Sequence, residues 1–247
     1  MKKPLRAAYI ITSKEKTPLL TVFLPMRNFR SFMPKKALYV LVIDCPWPCL
    51  IRLNVVPSLA EVQIAGITAE KVESVLAARK DRSRFEVLPD AGFVKILSHC
   101  IPSHASYPNE GYNVIQGLLS LLSAIFPNSN DPLKLFLHKL NDSFAMETDG
   151  NSWGIACKDE ISGALTCNMA ILEADASEAI VKFDVRYPVT HDSDQLTARL
   201  EGYAYELGSD TKYELVQHKK PLYVEKDRPF IKKLQKAYAE TTGQAAD

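Results

Sequence analysis

"RFEVLPDAGFVKILSHCI" (residues 84–101) reads as two strands of alternating character folded back around Pro89-Asp90-Ala91-Gly92. So short a turn joins strands antiparallel, because a parallel pair needs a crossover of about a dozen residues or more. Upstream, "AEVQIAG" (60–66) alternates like another strand. "TAEKVESVLAAR" (68–79) then opens on a capping Thr68 and sets Val72, Val75 and Leu76 on one helical face. Downstream, "GYNVIQGLLSLLSAIF" (111–126) reads as a buried helix. "DPLKLFLHKLNDSF" (131–144) is a second helix, with Asp131 as cap and Pro132 at its first position. Strands follow at 165–174 and 178–189, a helix at 192–208, a strand at 213–220 and a last helix at 227–243 capped by Asp227. Hairpins mixed with helices, not strict alternation, make the fold class α+β, with antiparallel sheets covered by helices.

The 247 residues, 47% of them hydrophobic, supply a real core for one large domain or two small ones. The net charge of +1 conceals an asymmetry: residues 1–50 hold nine Lys/Arg against Glu15 and Asp44, leaving 21 basic and 27 acidic residues for the rest. This leader has prolines at 4, 18, 25, 34, 46 and 48 and no amphipathic period, so it reads as neither a nucleic-acid arm nor a transit peptide. Its longest apolar run, Leu38–Ile43, is too short to cross a bilayer, and no signal-peptide pattern is present. The expectation is a cytoplasmic, monomeric protein with no nucleic-acid or membrane partner. Five cysteines, an odd number, argue against a disulfide framework. Cys45 and Cys49 have the wrong spacing for a redox or zinc pair and no second pair follows them.

Four stretches could carry chemistry: "LNVVPSLAEV" (53–62), "SHASYPNEGYN" (103–113), "DEISGALTCN" (159–168) and "FDVRYPV" (183–189). His104 stands in a turn with no second ligand nearby, and a lone loop histidine more often bonds its neighbours than a substrate. Asn54 and Asn113 read first as turn or cap residues. Arg186 lies in an otherwise apolar strand, facing away from Val185; it is either solvated at an open sheet face or aimed at an anion. An ion pair with Asp184 is not expected, on the ground that strand neighbours face opposite ways. His99, His138, His191 and His218 show no ligand spacing, and there is neither a phosphate loop nor a Ser/His/Asp arrangement.

In this order the four stretches resemble the PepV-type metallodipeptidases, within the aminoacylase, carnosinase and carboxypeptidase G family. The resemblance runs from about Arg52 to the C-terminus, and the order of the motifs is more specific than any one of them. It departs at Cys100 and Ala170, where the family has glycine, at Ser58 and at Val114. It implies two ferredoxin-like lobes of a lid domain over residues 51–220, followed at 221–247 by a remnant of the α/β catalytic domain. In that family two zinc ions activate a water for attack on a dipeptide's peptide bond, and the lid closes over them. The resemblance makes His104 the catalytic donor to the oxyanion and puts Arg186, Asn54 and Asn113 on the substrate.

The family's zinc ligands have no counterpart here, so no metal residue is assigned and the chain alone is expected to be inactive. The leader offers a reason. Back-translated and read one base earlier, residues 26–38 permit Asp-Ala-Glu-Phe-Pro-Val-Ile-Tyr-Ala-Glu-Lys-Gly-Ile, which resembles the family just before its lid. Residues 1–50 are therefore expected to be an out-of-frame segment of a dipeptidase gene, as in a pseudogene. Competing readings are a non-catalytic α+β binding or regulatory module, and a hydrolase completed by a separately encoded metal-binding domain.

Overall fold

The computed structural model describes the backbone of residues 9–13, 20–25 and 38–41, and then residues 55–90, 92–101, 103–175, 178–208, 211–221, 223–225 and 227–244. Asn54, Cys45 and Cys49 lie outside the described residues. The first three strands are β1 (Tyr9–Ser13), β2 (Leu20–Pro25) and β3 (Leu38–Leu41).

The first lobe is β4 (Leu59–Ala65), α1 (Ala69–Leu76), β5 (Phe85–Asp90), β6 (Phe93–His99) and α2 (Val114–Ile125). Thr68 caps α1 as its sequence requires, its hydroxyl accepting the Lys71 N–H at 3.3 Å, and the helix buries Val72 and Leu76. The β5–β6 hairpin closes at the Asp90–Phe93 pair, with Gly92 at φ +89, a left-handed angle that favours glycine. β4 adds antiparallel to β6. Nine of the twelve residues of α2 are buried, because the helix packs on β4 and β6 and also reaches β9 of the second lobe.

The second lobe contains α3 (Pro132–Phe144), the short hairpin β7 (Lys158–Asp159) and β8 (Gly163–Ala164), β9 (Thr166–Ala174), β10 (Glu178–Tyr187), α4 (Ser193–Leu207) and β11 (Lys212–Lys219). Asp131 caps α3 and Asp192 caps α4 through side-chain oxygens. Phe144, Trp153 and Phe183 meet with ring centroids 4.6–5.2 Å apart, and Tyr203 stacks on Trp153, so aromatic packing ties both helices to β10.

Helices and mainly antiparallel strands together bear out the α+β class. Both lobes share one sheet, in the order β1-β11-β2-β10-β9-β3-β4-β6-β5, with β3 between β9 and β4. The edge of β10 facing away from β9 is divided: residues 178–183 pair antiparallel with β2, and residues 184–187 lie parallel to β1. The last helix, α5 (Pro229–Thr242), starts differently from expectation: its cap position is Arg228, with no capping side chain, and not Asp227. Pro229, with fixed φ and no N–H, takes the first helical position and so moves the cap to the residue before it. None of the residues of α5 is buried. No helix among the described residues is long and apolar enough to cross a membrane.

Candidate functional site

The segment carrying His104 is pinned at both ends. Val55 and His104 form an isolated antiparallel bridge, and the Val56 N–H donates to the Ser103 carbonyl at 2.9 Å. The chain then turns: the Tyr107 N–H donates to the His104 carbonyl at 2.8 Å, and Pro108–Glu110 form one turn of tight helix. Ala105 and Pro108 point inward and are buried, while His104 and Tyr107 are exposed. A Cβ on Gly111 would lie 2.3 Å from the Ser103 hydroxyl, so glycine alone lets the two arms of the turn close.

The ring of His104 has a defined polarity. Its Nδ1 accepts the backbone N–H of Ser106 at 3.1 Å. A backbone N–H can only donate, so the neutral ring carries its proton on Nε2. The exposed side of the ring is therefore a hydrogen-bond donor.

Asn113 anchors this turn to the core. Its side-chain oxygen caps α2, accepting the N–H groups of Ile115 and Gln116 at 3.0 and 3.3 Å. Its amide donates to the Asn168 side-chain oxygen at 3.1 Å and to the Met169 carbonyl at 2.7 Å. Asn168 in turn donates to the Val55 carbonyl at 3.1 Å. The start of α2, strand β9 and the strand that bridges His104 are thus joined by two buried amides. Asn113 is 4% exposed, so it acts as the cap that its position suggested and faces no open cleft.

Arg186 is not solvated at an open sheet face, the first of the alternatives drawn from its sequence. It is 3% exposed, hence not solvated, and the anion it meets is Asp184: Nε and Nη2 donate to the two carboxylate oxygens at 3.1 and 2.9 Å. The expectation against this pair fails for a simple reason. Residues two apart in a strand share a face, and it is only immediate neighbours that oppose each other. A third bond runs from Nη1 to the Ser106 hydroxyl. His104 and Arg186 are therefore brought together through Ser106, and Asn113 joins them through Asn168 and Val55.

The "DEISG" stretch is a structural knot. The Asp159 carboxylate accepts N–H groups of Ile161 and Gly163, both at 3.1 Å, and the N–H and hydroxyl of Thr190 at 3.2 and 3.0 Å. Desolvation acts to raise the Asp159 carboxyl, but the hydrogen bonds from Ser162 and Thr190 outweigh it and hold the group well below the ordinary carboxylate range. This ties the β7–β8 loop to the segment following β10, beside Arg186 in sequence.

Among the described residues, no three His, Cys, Asp or Glu side chains gather as a metal site. The remaining histidines are dispersed: His138 Nε2 lies 2.6 Å from the Phe126 carbonyl, His218 Nε2 2.9 Å from the Tyr187 hydroxyl, His191 beside Thr190 and His99 at the end of β6. Among the described residues, Cys100, Cys157 and Cys167 form no disulfide. Ser106, Asn168 and Asp184 belong to the assembly without having been singled out as site residues. Of these, the spacing of Asp184 to Arg186 was the readable signal.

No protein-family model matches the chain. It is 33% identical over 205 residues to a protein of Bacillus subtilis named "Putative dipeptidase YtjP", a match covering 80% of this chain and 42% of that protein. It is 26% identical over 203 residues to a Staphylococcus epidermidis protein named "Putative dipeptidase", covering 79% and 42%. These relatives support a dipeptidase family. The chain spans about two fifths of the length of the curated relatives it matches.

Proposed function

We propose that residues 51–220 form the lid of a zinc dipeptidase and that His104 donates from its rim to the oxyanion formed when a dipeptide's peptide bond is attacked. The single observation behind this reading is the Ser106 N–H on His104 Nδ1, which leaves a donor on the exposed side of the ring. A donor aimed at developing charge in a dry site is worth about 2.7–4 kcal/mol of barrier. A bridge to Val55 on one side and a glycine-tight turn on the other suit such a donor, since its position must not relax as charge develops.

In this reading the substrate's terminal carboxylate is met by Arg186 and Asn54. Two of the five Arg186 N–H bonds remain beyond those given to Asp184 and Ser106, and a carboxylate would approach on the Ser106 side. Such charge-assisted bonds contribute about 1.5–3 kcal/mol each. Asn113 serves binding indirectly, by holding the rim. Zinc would supply an activated water, but among the described residues no cluster of His, Cys, Asp or Glu fits the metal.

The test is a graft. Residues 51–220 replace the matching region of the Bacillus subtilis relative, and cleavage of simple dipeptides is measured. Retained cleavage supports the lid reading; a folded graft that binds zinc but leaves dipeptides intact overturns it.

A further inference from the structure

Ser106 touches both halves of the site with different atoms. Its backbone N–H fixes the acceptor nitrogen of His104, and its hydroxyl accepts from Arg186 Nη1. Arg186 is itself immobile, being buried and clamped through two nitrogens to Asp184, which is fully buried. The hydroxyl thus ties an exposed turn to a fixed point on β10, 80 positions away in sequence. Without it, Ser106 would be held only through its own N–H on His104 and its buried neighbour Ala105, since the Val55 bridge and the Tyr107 turn bond engage His104 and not Ser106.

Resting on the lid reading for its catalytic meaning, we infer that Ser106 is the positioning residue that transmits the state of Arg186 to the ring of His104. A carboxylate arriving at Arg186 takes the free N–H of Nη1, the same nitrogen whose other N–H the Ser106 hydroxyl accepts, and so draws on that bond. The Ser106 backbone then shifts against His104 Nδ1, so occupation of the anion site adjusts the donor that acts on the neighbouring carbonyl. Recognition of the substrate's charged end and polarisation of its peptide bond are coupled through one side chain and its own N–H.

The coupling is read directly from the imidazole nitrogens by ¹⁵N NMR at a pH where the ring is neutral, with His138 and His191 as internal controls. In the unaltered chain, the two ring nitrogens of His104 give the separated signals of a single Nε2–H tautomer. In Ser106→Ala the separation shrinks by roughly half as the second tautomer becomes populated. Ser106→Thr, which keeps the hydroxyl, restores it, and Arg186→Lys, which shortens the donor, reproduces the alanine result. Adding acetate as the carboxylate probe moves the His104 signals in the unaltered chain and not in Ser106→Ala. Unchanged His104 signals in a folded Ser106→Ala protein overturn the coupling, and so does an acetate response that survives that substitution. If Arg186→Lys fails to fold, the serine variants decide alone. Since no turnover is measured, an inactive graft would remove the lid function and leave this result standing.

Discussion

Arg186 and Asp184 form a two-point ion pair on one face of β10, at 3.1 and 2.9 Å, with both side chains buried. Neither charge has water to fall back on. Removing one partner therefore strands the other, and Asp184→Ala is expected to destabilise the chain by about 3–5 kcal/mol, read from chemical denaturation. A loss below about 1 kcal/mol, the range of an exposed pair, would show that the pair is hydrated in solution.

Asn113 combines a helix cap with a bond to a second buried amide. Asn113→Ala removes the cap, at about 1 kcal/mol, and leaves Asn168 short of a partner, at about 1–3 kcal/mol. The expected sum is about 2–4 kcal/mol. Because Asn168 holds the Val55 carbonyl, hydrogen exchange at Val56 should also accelerate in this variant.

Gly111 is the closing point of the His104 turn. Its φ of −117 is open to any residue, so the constraint is space: an added Cβ meets the Ser103 hydroxyl at 2.3 Å and its Cβ at 3.0 Å. Gly111→Ala should shift the backbone NMR signals of residues 103–107 while leaving those of α3 and α4 in place. Gly92→Ala, where no atom lies within 4 Å but φ is +89, should cost stability through backbone strain without disturbing the His104 turn.

The Asp159 knot gives a pH dependence of known sign. Its carboxyl is depressed in the folded chain, so its contribution is fully present above the unfolded value of about 4 and is lost as pH falls further, through the folded value. Asp159→Asn should lower Tm at pH 7, and the gap to the unaltered chain should close at the acid end. A gap that is constant with pH would mean that the loop does not depend on the carboxylate's charge.

Much of the framework was legible because its determinants are local. Thr68, Asp131 and Asp192 cap helices within three residues of themselves, and Gly92, at φ +89, lets the β5–β6 hairpin close at Asp90–Phe93. The start of α5 was misplaced only because Asp227 was ranked as a cap above the position that Pro229 imposes. At the site, His104 and Arg186 were legible as residues and not as partners. What joins them is tertiary: Ser106 and Arg186 are 80 positions apart, and Asn113 and Asn168 are 55 apart. No periodicity encodes such contacts. The Asp184–Arg186 pair differs, since a strand's period of two already puts both on one face.

In the lid reading, the turn holds His104 as a donor that acts on the transition state and not on bound substrate. The most direct test of that role is His104→Ala in the active graft, with kcat and KM measured separately on one dipeptide. A donor to the oxyanion requires kcat to fall by about 10²–10³ with KM little changed. A KM that rises while kcat holds, or no change in either, would contradict it.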